Sequence, residues 1–138
     1  MHLTHHVLVP VADQKDARLT AQVLEPYEFD RITVLHVVEK GGGVPDKTPV
    51  EQSEQIAAEA FDAFRETFPD IETEITYRRD VVAAITDVAS EVDASAIVFR
   101  PRDGGRLIKW LAGDRSLRLI TEANRPVISI PENEQHER

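Results

Sequence analysis

Cysteine is absent from this chain, which excludes disulfides, thiolate catalysis, iron–sulfur clusters and cysteine-type zinc sites. Lysine is scarce, with 4 Lys against 12 Arg in 138 residues. No apolar run approaches the ~18 residues that a membrane-spanning helix needs. The opening Met1-His2-Leu3-Thr4-His5-His6 carries no signal-peptide pattern. The expectation is a soluble cytoplasmic protein with no membrane insertion. Several catalytic signatures are missing as well: there is no G-x-x-x-x-G-K-[ST], no G-x-S-x-G and no H-E-x-x-H.

What is present is acid. Asp and Glu number 25 against 16 bases, for a formal charge of -9, which makes contact with a nucleic-acid backbone or an anionic membrane repulsive. An acid-rich, lysine-poor surface suits a high-salt cytoplasm, where screening relieves repulsion between carboxylates. The melting temperature is therefore expected to rise from low salt to multimolar KCl. Equal stability at the two extremes would contradict salt adaptation.

A 41% hydrophobic share supports one domain, residues 1–138, with a core over 5–131 and a polar tail over 132–138. A chain of this length buries about two-thirds of its unfolded surface. Strand and helix signals alternate. Val7-Leu8-Val9-Pro10-Val11 and Ala96-Ile97-Val98-Phe99 are short apolar runs that read as strands buried on both faces. Residues 31–38 form a β-branched strand, and 126–131 form the last one. Ile71, Thr73, Ile75 and Tyr77 alternate with polar residues, which predicts an edge strand with one wet face. Helices are predicted over 16–25, over 50–68 with a stripe of Ala57, Ala60, Phe61, Phe64 and Phe68, after an N-cap at Asp80, and over 115–123. Five strands joined by helices require a parallel sheet, a doubly wound α/β sandwich. Its ligand site lies beyond the C-terminal strand ends at the switch point, between the loops 10–16 and 100–113.

A flavin site there would want a Thr/Ser/Gly phosphate loop, and a phospho-receiver an acidic pair after the first strand. Ala12-Asp13-Gln14-Lys15-Asp16 supplies neither. His36 lies inside a strand and reads as a satisfied core histidine. His2, His5 and His6 could capture a metal, but at a frayed start they read as solvated, and no metal site is assigned. Trp110 reads as an amphipathic plug, and Gly41-Gly42-Gly43 as a loop over the sheet.

The order of Val7-Leu8-Val9-Pro10-Val11, Val34-Leu35-His36-Val37-Val38, Ala96-Ile97-Val98-Phe99 and Gly113 with Arg125-Pro126-Val127 resembles the universal stress protein family. The resemblance runs from Val7 to Ile130 and implies a flavodoxin-like dimer with strand order 3-2-1-4-5, some members binding ATP. ATP-binding members carry an Asp two residues after the first-strand Pro, and a loop G-x-x-G-x-nine-G-[ST]. Here Pro10 and Gly113 match. Ala12 stands at the Asp position, with Asp13 one residue late, while Arg100 and Asp103 replace the two earlier glycines and Asp114 replaces the Ser/Thr.

Glycines let backbone N–H groups approach phosphate, and a side chain obstructs them. A carboxylate ~4 Å from a phosphate charge costs about 4 kcal/mol at an effective dielectric near 20, roughly a thousandfold in affinity. Asp103 and Asp114 therefore disfavour a triphosphate, and no cofactor is required. The same stretch is nonetheless basic. Arg100, Arg102, Arg106, Lys109, Arg115 and Arg118 face two acids, for a local +4 against -13 over the other 119 residues. Either guanidinium forks replace glycine backbone in a small-anion or nucleotide pocket for ATP or AMP, or these arginines pair with local acids or a second subunit.

The candidate ligand residues are Pro10, Val11, Asp13, Val38, Arg100, Arg102, Arg106 and Gly113. The apolar last strand, with Val127, Ile128, Ser129 and Ile130, reads as an exposed edge that pairs with its copy in a homodimer. The leading expectation is a non-catalytic regulatory module acting through an unidentified protein partner. A nucleotide sensor is second, and a weak nucleotide hydrolase using Asp13 or Asp103 comes third, because no constellation of nucleophile, base and stabiliser supports turnover.

Overall fold

The computed structural model describes residues 2–39, 50–101 and 114–131. The elements run β1 (His6–Pro10), α1 (Gln14–Leu24), β2 (Arg31–Glu39), α2 (Val50–Arg65), β3 (Glu72–Arg78), α3 (Val81–Glu91), β4 (Ala96–Phe99), α4 (Asp114–Glu122) and β5 (Val127–Ser129). All strand pairs are parallel and the sheet order is β3-β2-β1-β4-β5. This is the doubly wound, flavodoxin-like topology that the strand–helix alternation requires.

The apolar runs explain the middle of the sheet. β1 and β4 are buried along their whole length, because helices cover both faces. Alternation sends Val7, Val9, Ile32, Val34, Ala96 and Val98 towards α1 and α2, where they meet Ala17, Ala21, Leu24, Phe61 and Phe64. Leu8, Leu35, Val37, Ile97 and Phe99 face α3 and α4, against Val82, Ile85 and Leu119.

Several boundaries differ from the sequence expectation for local reasons. α1 starts at Gln14 because Asp13 caps it, accepting the Asp16 N–H at 2.8 Å. α2 ends at Arg65, yet Phe68 still stacks on Phe64 with ring centroids 5.6 Å apart and meets Phe29 edge-on. Asp80 caps α3 as expected. α3 closes at Asp93, the described non-glycine residue at positive φ, 57°. β3 is an edge strand, but its alternation does not bury one face, since Ile75 is 36% exposed. The β2–β3 rim extends beyond the cover of the helices.

His6 corrects the expectation of a frayed, solvated start. It is 2% exposed, and its Nε2 lies 2.8 Å from Thr33 Oγ1 while its amide donates to Ser95 Oγ. His5 is on the surface beside Asp30. Gly41–Gly43, Trp110 and the 132–138 tail fall outside the described residues.

Candidate functional site

β1 leads through α1 to β2 on one side, whereas β4 is entered from β3 through α3 on the other. The switch point therefore lies between β1 and β4, and in sheets of this kind a ligand binds beyond the C-terminal strand ends there. On the β1 side this position is bounded by the turn Val11–Asp13.

This turn is held from both flanks. Towards β2, the Val11 N–H donates to the Leu35 carbonyl at 2.9 Å, and His36 Nδ1 lies 3.2 Å from the Val11 carbonyl. Towards β4, the Ala12 N–H donates to Asp16 Oδ2 at 2.7 Å. Asp16 Oδ1 receives Arg100 Nη2 at 2.6 Å, and Arg100 Nε donates to Thr20 Oγ1 at 3.3 Å. Asp16 is fully buried and Arg100 is 5% exposed. The ion pair lies in the interior, where opposite charges are weakly screened.

Among the candidate residues, Pro10 and Val11 are buried, Asp13 and Val38 are half-buried, and all four lie at the β1 and β2 ends. Arg100 adjoins them, but its guanidinium points into α1. Arg102, Arg106 and Gly113, with Asp103, lie outside the described residues. The three described bases of the arginine-rich stretch each hold a carboxylate from another element. Besides Arg100, Arg115 pairs with Glu39 at 2.6 Å, and Arg118 bridges Asp80 and Glu122. The dimer candidates Val127 and Ile128 are half-buried, Ser129 is exposed and Ile130 is half-buried. Ile128 and Ile130 flank an apolar cleft of about 280 Å3 with Tyr27, Phe29, Val98 and Pro131.

Sequence reasoning missed Asp16 and Thr20 and read His36 only as core. One signal was available: Asp13 and Asp16 have the spacing of a capping box. The fourth-position carboxylate here reaches back to the Ala12 amide, one residue before the cap.

Burial holds the imidazoles of His36 and His6 below the usual ~6.5. For His36 the Val11 hydrogen bond and the charges of Asp13 and Asp16 oppose this shift. For His6 the Arg31 charge reinforces it, while Glu72 opposes it. The unfolded chain therefore binds these protons more readily than the folded one, so both groups favour the fold above pH 6.5 and withdraw that support as pH falls below it. The lowered carboxyls of Glu66, Glu72 and Asp80 act only at more acid pH, through their arginine partners. The melting temperature is expected to fall between pH 7.5 and 5.5, and a folded His6→Asn/His36→Asn variant to flatten that slope. An unchanged slope would contradict the assignment.

Among the described residues no three His, Asp or Glu side chains form a group that could hold a metal, and no helix is long and apolar enough to cross a membrane.

The parallel sheet, its strand order and its β1/β4 switch point define a flavodoxin-like α/β domain. Residues 4–131 match the model of the Universal stress protein family, and the chain belongs to that family. It is similar to the universal stress protein UspA of Lactobacillus plantarum, at 26% identity, with 92% of this chain and 97% of that one covered and a TM-score of 0.62. It is also similar to the universal stress protein of Archaeoglobus fulgidus in complex with dAMP, at 24% identity, with 94% and 99% covered and a TM-score of 0.62. A universal stress protein family protein of Arabidopsis thaliana with AMP bound shares the fold at 16% identity, with 96% and 94% covered and a TM-score of 0.60. No curated protein matches.

Proposed function

We propose that this chain is a dimeric regulatory module that signals through occupancy of its switch-point crevice by an adenosine nucleotide of monophosphate size, not through turnover. The observation that carries this reading is the β1–α1 turn, built at the switch point and anchored from β2 by Leu35 and His36 and from α1 by Asp16, which Arg100 holds from beyond the end of β4. Pro10, Val11, Asp13 and Val38 would form the base and ribose side, with Arg102, Arg106 and Gly113 on the phosphate side. Family relatives with dAMP and AMP support the ligand class. The acids at 103, between β4 and α4, and at 114, the first residue of α4, favour one phosphate over three, by the Coulomb cost given above.

Asp13 caps α1 through Oδ1, and among the described residues no nucleophile, base and stabiliser stand together with it. Occupancy would then be read by an unidentified protein partner in a salt-adapted cytoplasm. Antiparallel pairing of β5 with its copy would close the dimer.

The test is calorimetric titration of the purified protein with AMP and with ATP at multimolar KCl, after mass spectrometry of any ligand released on denaturation. AMP binding more tightly than ATP is the expected result. Failure of both to bind, tighter ATP, or phosphate release that depends on Asp13 would overturn the proposal.

A further inference from the structure

We infer that Arg100 is a positioning residue of the crevice. Acting through Asp16 it holds the Ala12 amide, and with it the β1–α1 turn, without touching the ligand itself. Its bearing on affinity rests on the nucleotide reading above; the positioning itself does not.

The chain of contacts is continuous. Arg100 leaves the end of β4 and its guanidinium reaches two residues of α1, Asp16 at 2.6 Å and Thr20 at 3.3 Å. The Arg100 side chain is 6% exposed and that of Asp16 is 0% exposed, so neither presents a face to a molecule in the crevice. The second Asp16 oxygen accepts the Ala12 N–H at 2.7 Å. A carboxylate with both oxygens engaged has a defined orientation, and the guanidinium fork sets it. Because Ala12 is the middle residue of the turn, the position of Arg100 at the end of β4 is transmitted to the turn that follows β1.

This also accounts for an arginine where nucleotide-binding relatives place a glycine. A side chain at that point would obstruct an approaching phosphate if it pointed outward. Arg100 turns inward instead, towards Asp16 and Thr20 of α1. The neutralised Asp16 likewise presents no bare carboxylate to an anion.

Amide hydrogen exchange, followed residue by residue, tests this without any ligand. Arg100→Met is expected to bring exchange at Ala12 close to that of an unprotected amide, at least tenfold faster than in the wild type, while Leu8 and Val9 in β1, though faster through the loss of global stability, remain protected. Unchanged Ala12 protection in the folded variant overturns the inference. Should Arg100→Met not fold, Arg100→Lys serves instead, because it keeps a cation beside Asp16 but loses the fork that also reaches Thr20. Faster Ala12 exchange then supports the inference, and unchanged exchange overturns it.

AMP titration of the same variants separates positioning from contact. Arg100→Met and Asp16→Leu are expected to weaken AMP by similar factors, at least tenfold, with the double variant no weaker than either single one. Loss in Arg100→Met with full affinity in Asp16→Leu would show that Arg100 contacts the ligand, and overturns the inference. If the wild-type chain binds no AMP, the nucleotide reading fails, and Ala12 exchange still decides whether Arg100 positions the turn.

Discussion

Arg100→Met and Asp16→Leu are each expected to destabilise the protein by about 3–5 kcal/mol, because each breaks a buried ion pair by removing one of its partners. In a domain of this size that corresponds to a melting temperature lower by roughly 10–20 °C. Replacing both residues removes both charges and fills the space with apolar atoms, a change that is often neutral or stabilising for buried pairs. One cost remains in the double variant, since the Ala12 N–H loses its acceptor, worth about 1–3 kcal/mol where water cannot reach it. The Arg100→Met/Asp16→Leu variant is therefore expected to regain at least half of the single-variant loss. Thermal and urea unfolding of the four proteins measure this directly. Additive losses would contradict the pairing seen in the interior.

The second large effect concerns association. Ile128→Glu is expected to shift the light-scattering mass from that of two chains to that of one at micromolar concentration. Among the described residues β5 is bonded to β4 alone, and α1 and α2 lie over β1 and β2, leaving Val98, Ile128 and Ile130 to line an apolar cleft with Tyr27 and Phe29. A carboxylate introduced there must be desolvated if a second copy covers it, at a cost of several kcal/mol. Ile75→Glu, on the opposite edge of the same sheet, is the control and is expected to leave the mass unchanged. A folded Ile128→Glu variant that keeps the mass of two chains, or a wild-type protein with the mass of one, would contradict dimerisation through β5.

The sheet was legible because its central strands leave little choice. Val7 to Val11 and Ala96 to Phe99 have no polar face to offer water, so they can only lie between two layers of helices. The strand order came from the family resemblance, and the structure bears it out. The edge strand was harder, because Thr73, Ile75 and Tyr77 alternate correctly in a place that no helix fully covers. His6 was misread because proximity to the terminus suggested fraying, whereas Thr33 and Ser95 give it an interior environment.

The candidate site was legible as a place in the topology and only partly as chemistry. Topology points to the ends of β1 and β4; Pro10, Val11 and Asp13 lie at the end of β1, and Val38 lies near the end of β2. The partner of Arg100 was not readable: Asp16 stands 84 residues away, and no local pattern links a residue after β4 to the first turn of α1. Charge counting could find an arginine-rich stretch but not the direction in which each guanidinium points.

The most direct test of a switch-point nucleotide site is an AMP titration followed by backbone amide shifts at high KCl. Saturable changes are expected at Val11, Ala12, Asp13, Val38 and Arg100, while His6 and Ser95, at the opposite end of the sheet, stay unmoved. An absence of shifts at saturating AMP, or shifts gathered at the His6 end, would contradict it.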